Sequence, residues 1–209
     1  MEKILFIALA TMPKLFLGQV VPPCPTTAVT LESVLGTECQ SASGDQFVFT
    51  GFTSTVTGGA TEITPHNVTI LLDSDERFNL QPTTGYWVAG PGQTLTFTLT
   101  VRGLTANEYS EAWIISPAPT GNGNIEAHVS AYDVTGNPLG HSSAASQSQP
   151  SGGNLFLENS VVCGASCPVS EYSWFPIGFL APLTFDMKIY LAGNSGGTAT
   201  LDKFLFYLE

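Results

Sequence analysis

Positive charge is scarce in this sequence: 6 Lys and Arg stand against 17 Asp and Glu among 209 residues, a formal charge of -11. Binding a nucleic acid requires clustered cations that displace counterions from phosphates. The basic residues here are scattered, which excludes nucleic acid as a partner and disfavours an anionic membrane surface. The acidic surplus could attract Ca²⁺ or a basic partner, although solubility is the simpler role for it. Charge of either sign amounts to 11% of the chain, against about 25% in ordinary soluble domains. Solubility therefore rests on Thr, Ser, Asn, Gln and Gly, and Thr suits the half-exposed pleat of a strand.

Long apolar runs and metal motifs are also missing. Past the N-terminus no stretch approaches the ~20 residues of a membrane span. The histidines His66, His128 and His141 stand far apart, with no H-x-H or H-E-x-x-H spacing, and solvated histidine is the favoured reading for all three. The cysteines are four, Cys24, Cys39, Cys163 and Cys167, in neither a C-x-x-C redox spacing nor the doubled pattern of a zinc site. Nothing in the chain calls for a cofactor.

What is present begins with a leader. Met1-Glu2-Lys3 runs into Ile4 to Ala10, and after Lys14 comes Leu15-Phe16-Leu17. This is the pattern of a secretory signal peptide over residues 1–18, with cleavage near Ala10 or near Gly18. In an exported chain the cysteines read as structural disulfides. Three pairings exist, and short loop closure favours Cys24–Cys39 and Cys163–Cys167.

Residues 19–209 then read as one domain. A helix is predicted from Thr26 to Leu35, with Thr26 or Thr27 as cap, Leu31, Val34 and Leu35 on one face and Gly36 as stop. The cysteines at 24 and 39 bracket it and would pin it against a sheet edge. Beyond it the hydrophobic period is two. Strands are predicted at Gln46 to Phe52, Asn67 to Leu72, Thr94 to Val101, Ile125 to Tyr132 and Leu183 to Leu191, with shorter runs at Asn154 to Leu157 and Leu201 to Leu208. Leu95, Phe97, Leu99 and Val101 point inward, and the intervening threonines meet solvent. Gly- and Pro-rich turns such as Gly90-Pro91-Gly92 separate the strands. The expected fold is all-β, an antiparallel, jelly-roll-like β-sandwich with one short N-terminal helix. The Ser- and Gln-rich segment 142–153 reads as a flexible loop within it.

One order of features is familiar. Cys24 precedes a short helix, then come Gly36-Thr37-Glu38-Cys39, the F-x-F-x-x-F of Phe47 to Phe52, Ile63-Thr64-Pro65, and Pro91-Gly92-Gln93 opening a strand. The chain resembles the ectodomains of bacterial proteins that carry a PEP-CTERM sorting signal, and the late pair Cys163 and Cys167 is similar too. The resemblance implies an exported β-domain at the cell surface or beyond it, with no catalytic residue to carry over. That family's C-terminal Pro-Glu-Pro, apolar span and basic end are not among these residues, which close on Phe206-Tyr207-Leu208-Glu209, so its sorting and anchoring are not carried over.

Candidate chemistry is thin. Gly140-His141-Ser142-Ser143-Ala144 imitates a nucleophile elbow, but its flanks are loops and no histidine follows Ser142 to act as base. Asp73, Asp75 and Glu76 gather acceptors that could meet a Ca²⁺ ion, although a polar turn is the expectation. Tyr86 with Trp87, and Tyr172 with Trp174, are aromatic groups able to stack on sugars or fill an interface. The sequence thus points to an exported non-enzymatic domain for adhesion or assembly on an extracellular polymer or protein. A carbohydrate-binding module using exposed aromatics is the alternative, and an extracellular hydrolase the weakest reading.

Overall fold

Through most of the described residues, period-two hydrophobicity turns into strands. The structure, a computed structural model, describes residues 20–105, 107–115, 123–133, 155–163, 170–180, 182–194 and 196–208, with side chains at 20–105, 123–127, 182–194 and 196–208. In chain order the elements are β1 (Val29–Thr30), α1 (Leu31–Val34), β2 (Glu38–Gln40), β3 (Gln46–Thr57), a 3₁₀ turn (Pro65–Asn67), β4 (Val68–Leu72) and β5 (Phe78–Pro82). Then come β6 (Trp87–Ala89), β7 (Gln93–Gly103), β8 (Asn107–Ile115), β9 (Gly123–Asp133), β10 (Leu155–Cys163), β11 (Ser170–Leu180), β12 (Leu183–Gly193), β13 (Ala199–Leu201) and β14 (Lys203–Leu208).

One layer is a six-stranded sheet in the order β1-β4-β5-β14-β8-β11. The other consists of two three-stranded groups, β10-β9-β12 and β2-β3-β7. They lie side by side, β12 along β7, where the Thr100 hydroxyl donates to the Asp186 carboxylate at 2.7 Å. A small β13-β6 pair packs against β7 and β12. Every pairing between these strands is antiparallel. The chain is an antiparallel β-sandwich with one short helix, as the alternation predicts.

Phe78 holds the two layers together. It sits on β5 and drives its ring between Phe47 and Phe49 of β3, at centroid distances of 5.1 and 5.3 Å, both edge-on at 89°. Its other side stacks on Phe206 of β14 at 5.0 Å. All four rings are buried. Edge-on geometry sets the positive rim of one ring against the negative face of another, adding about 0.5–1.5 kcal/mol per pair to the burial of apolar area. The same buried core contains Ile70, Leu80, Leu99, Val101, Phe185 and Ile189.

The F-x-F-x-x-F spacing has a structural cause. Phe47 and Phe49 are buried, and the register of β3 against β7 shifts between Phe49 and Gly51. The extra residue reverses the parity of the strand. Phe52 then faces the same side as its predecessors and stacks on Phe97 at 5.9 Å. The bulge also lets the strand run on to Thr57, five residues past the predicted end at Phe52.

The predicted helix is much shorter than its pattern. Only Leu31–Val34 is helical, and Thr30, not Thr26 or Thr27, sits at its N-terminus without a side-chain cap. β-Branched Val29 and Thr30 pair with Ile70 and Thr69 instead, extending the sheet. Gly36 does end the helix, at φ 77°, and its N–H donates to the Phe49 carbonyl at 2.7 Å. The Cys24–Cys39 disulfide is present, with both cysteines buried, and it clips the segment before β1 onto β2. Two backbone bonds reinforce the clip, Cys24 N–H to Gln40 O at 2.9 Å and Gln40 N–H to Pro22 O at 2.8 Å.

Other differences follow from packing. The threonines of β7 are half-buried and not fully solvated, because β3 and β12 flank that strand on both sides. The run from Leu201 to Leu208 divides at Asp202, and its halves join different sheets. Strands β5, β6, β8 and β11, together with the short β1 and β2, carry no alternation long enough to announce them. At the end of β12 the backbone crossing is so close that a Cβ on Gly193 would overlap the Gly90 carbonyl. The segment 142–153 and Asn154 lie outside the described residues. Among the described residues no helix is long and apolar enough to cross a membrane.

Phe78→Ala is expected to lower the unfolding free energy by about 3–5 kcal/mol in urea denaturation, the usual cost of removing a buried ring. A loss under about 1 kcal/mol would show that the ring cluster does not join the layers. Cys24→Ser is expected to cost roughly 3 kcal/mol, the value for freeing a loop of this size, and to abolish any further effect of reductant on that loop.

Candidate functional site

Asn67, the last residue of the 3₁₀ turn, organises a recess at one edge of the sandwich. Its side-chain oxygen accepts the Thr64 N–H at 2.8 Å, and its amide donates to the Glu62 carbonyl at 3.4 Å. Its own carbonyl accepts the Thr83 N–H at 3.0 Å. One residue thereby ties the segment before β4 to the turn that leads from β5 into β6. Between these two walls opens a cavity of about 270 Å³. Ile63, Trp87 and Leu95, all buried, form its apolar floor. Thr61, Glu62, Thr83, Thr84, Tyr86 and Val88 form an exposed rim.

Strand alternation sets the aromatic pair. Tyr86 and Val88 face solvent, 54% and 44% exposed, while Trp87 between them is 5% exposed. Trp87 packs on Phe97 with centroids 4.8 Å apart. The two sequence candidates here thus divide the work: Tyr86 offers a ring to the outside and Trp87 belongs to the floor. Trp87 Nε1 is buried and has no hydrogen-bond partner among the described residues. An unanswered buried donor costs about 1–3 kcal/mol. Ser54 Oγ shares that condition, and it lies opposite Phe97 in the β3–β7 ladder.

The recess suits an uncharged, hydroxyl-bearing ligand. Three threonines stand in its rim, and Glu62 is the one carboxylate lining it among the described residues.

The acidic turn between β4 and β5 is answered from within. The Asp73 carboxylate accepts the N–H groups of Asp75 and Arg77, each at 2.9 Å, the Arg77 Nε at 3.1 Å and the Asn79 amide at 3.0 Å. The Arg77 guanidinium also bonds the Asp75 carboxylate. Glu76, at φ 60°, accepts the Ser43 N–H at 2.8 Å. The Arg77 guanidinium thus lies against both the Asp73 and the Asp75 carboxylates. Burial raises the Asp73 carboxyl, but the Arg77 N–H, the Asn79 amide, the Arg77 charge and the Asp75 N–H together hold it below its ordinary value.

The remaining candidates are dispersed. His66 is exposed, its Nδ1 3.2 Å from Glu32. His128 stands on β9 opposite Ser160 and Lys188. Tyr172 and Trp174 stand on β11, the outer strand of its sheet, opposite Trp113 and Glu111. The side chains of His128, Tyr172 and Trp174 lie outside the described residues, as do His141, Ser142 and Cys167. Cys163 ends β10 opposite Ile125, so the second cysteine pair also falls outside them. No group of three or more His, Cys, Asp or Glu able to hold a metal occurs among the described residues. The sequence reading missed Thr61, Glu62, Asn67, Thr83 and Thr84. The turn Thr83-Thr84-Gly85 beside Tyr86 was the available signal, whereas nothing in the pattern links it to Thr61 or Glu62.

No family model matches this chain, and no curated protein matches it. Among solved structures, TmCBM61 in complex with beta-1,4-galactotriose is similar at TM-score 0.37 and 13% identity, over 77% of this chain and 90% of that one. The enzymatically active domain of bacteriophage CBA120 tailspike protein 4 is similar at TM-score 0.35 and 14% identity, over 76% of this chain and 19% of that one. A structure of carbohydrate-binding modules from the beta-sandwich super family follows at TM-score 0.30 and 12% identity, over 90% of this chain and 62% of that one. Likeness at this level assigns neither ligand nor activity.

Because the folded pKa of Asp73 is depressed, its contribution to stability is complete above the ordinary carboxylate range, about pH 4, and is lost as pH falls through the folded value. Asp73→Asn is therefore expected to flatten the decline in stability on the acid side of pH 4. Thermal melts of both proteins over the acid range check this, and parallel curves would show that Asp73 makes no such contribution.

Proposed function

We propose that this chain is an exported, non-enzymatic binding domain that adheres to an uncharged extracellular polysaccharide at the Tyr86–Trp87 recess. The observation that carries the reading is Tyr86, more than half exposed at 54%, beside a cavity rimmed by threonine hydroxyls. A solvent-facing phenol supplies an apolar face for a sugar ring, and hydroxyls and an acceptor carboxylate beside it supply orientation. Adhesion and carbohydrate binding are then one activity seen at two scales.

Export is supported by three features of different kinds. The N-terminal apolar stretch has the character of a leader. The Cys24–Cys39 disulfide belongs to an oxidising compartment. The order of cysteines, glycines and aromatics resembles PEP-CTERM ectodomains, and membership of that group is part of this proposal.

Affinity electrophoresis through gels cast with neutral polysaccharides (galactan, xylan, mixed-linkage glucan, starch) tests the reading. Retardation by at least one is expected, with Tyr86→Ala reducing affinity about tenfold, the scale of one lost aromatic contact. Trp174→Ala is expected to leave retardation unchanged. Mobility that no polysaccharide alters, or that Tyr86→Ala does not restore, would end the proposal.

A further inference from the structure

Among the described residues Glu62 brings the only charge to the lining of the recess. Its backbone carbonyl accepts the Asn67 amide at 3.4 Å, but no described group donates to its exposed carboxylate. No cation stands on the walls to offset it. The described Lys and Arg are Arg77, Arg102, Lys188 and Lys203, and none of them lines the recess. His66 shares the 3₁₀ turn with Asn67, but its Nδ1 lies 3.2 Å from Glu32. The recess thus presents one uncompensated negative charge to whatever enters it.

A charge needs no aim, because its effect on a second charge depends on distance and medium, not on direction. A compact space of about 270 Å³ is roughly as wide as one Debye length, about 8 Å at physiological salt. Wherever the Glu62 side chain swings on its wall, its charge therefore stays close to the guest. In water, two like charges about 4 Å apart disfavour contact about fivefold, and added salt removes the effect. The formal charge of -11 adds a diffuse repulsion of the same sign that no single residue governs.

We propose, resting on the polysaccharide-binding reading above, that Glu62 is the specificity-determining residue of the recess and turns away sugars bearing a carboxylate or a sulfate. A uronic acid has the ring of its parent sugar, with a carboxylate in place of the primary alcohol. The Tyr86 ring meets the face that the two have in common, so stacking does not tell them apart. Glu62 does, by repelling one and not the other. Neutral glycan is held and acidic glycan of the same backbone is released, with no bond made or broken.

The test is a calorimetric titration of the full chain with galactan, mixed-linkage glucan and starch. Each is set beside a form of the same polymer with part of its primary alcohols oxidised to carboxylates, and xylan is set beside glucuronoxylan. In about 20 mM salt a neutral polymer is expected to bind about tenfold more tightly than its acidic counterpart. Glu62→Gln is expected to close about fivefold of that gap, the scale of one like-charge contact. Glu38→Gln on β2, outside the lining of the recess, removes the same net charge and is expected to leave the gap as it was. In about 0.5 M salt the effect of Glu62→Gln is expected to vanish. An acidic polymer that binds at least as tightly as its neutral counterpart would overturn the role of Glu62 and leave the broader reading intact. A gap that Glu62→Gln narrows no more than Glu38→Gln does would overturn it equally. Binding of no polymer, neutral or acidic, would overturn both.

Discussion

Three aromatic contacts made by one residue give this sandwich its thickness and its alignment. Phe78 meets Phe47 and Phe49 across the interior and Phe206 beside it, so both sheets and two neighbouring strands of one sheet converge on a single ring. Edge-on rings have a preferred approach, and that preference fixes the offset of β3 over β5 more sharply than aliphatic contact would. The bulge at Thr50 and Gly51 follows from the same constraint. With Phe47 and Phe49 committed to Phe78, the strand needs an extra residue to return Phe52 to the interior against Phe97.

The strands that were legible in the sequence are those with one buried and one wetter face. β7 alternates cleanly from Leu95 and β12 does so from Leu183 to Leu191, and every apolar residue expected inside is inside. β5 hid itself because Phe78, Asn79 and Leu80 are buried in succession, a pattern that period two cannot show. Its polar member is tolerable because the Asn79 amide donates to Asp73 and to the Arg77 carbonyl. The helix was overread for the opposite reason. Leu31, Val34 and Leu35 do have helical spacing, but the β-branched residues before them gain more by pairing with β4. Of the candidate site, the aromatic pair was visible and its neighbours were not. Asn67 brings Glu62 and Thr83 together through three separate hydrogen bonds, and no local pattern records a tertiary clamp.

The two polar clusters of the surface show how differently the chain treats its own hydrogen-bonding groups. At the Asp73 turn each carboxylate finds donors supplied by the same few residues, and the outcome is a rigid corner. At the recess the threonine hydroxyls face solvent. Groups met internally stabilise a fold, whereas groups left open are available to something else. This contrast, and not any catalytic constellation, is the basis for reading the chain as a binder.

The place of β14 bears on how such a chain is made. This strand lies between β5 and β8 in the middle of the six-stranded sheet, and it pairs Phe204 with Leu80, distant in the chain. A ribosome delivers the flanking strands long before it delivers the one that joins them. Until then β5 and β8 present bare edges, and long-range closure of this kind is slow. The six-stranded sheet therefore cannot close until β14 has been made, whereas the Cys24–Cys39 clip joins residues that leave the ribosome early.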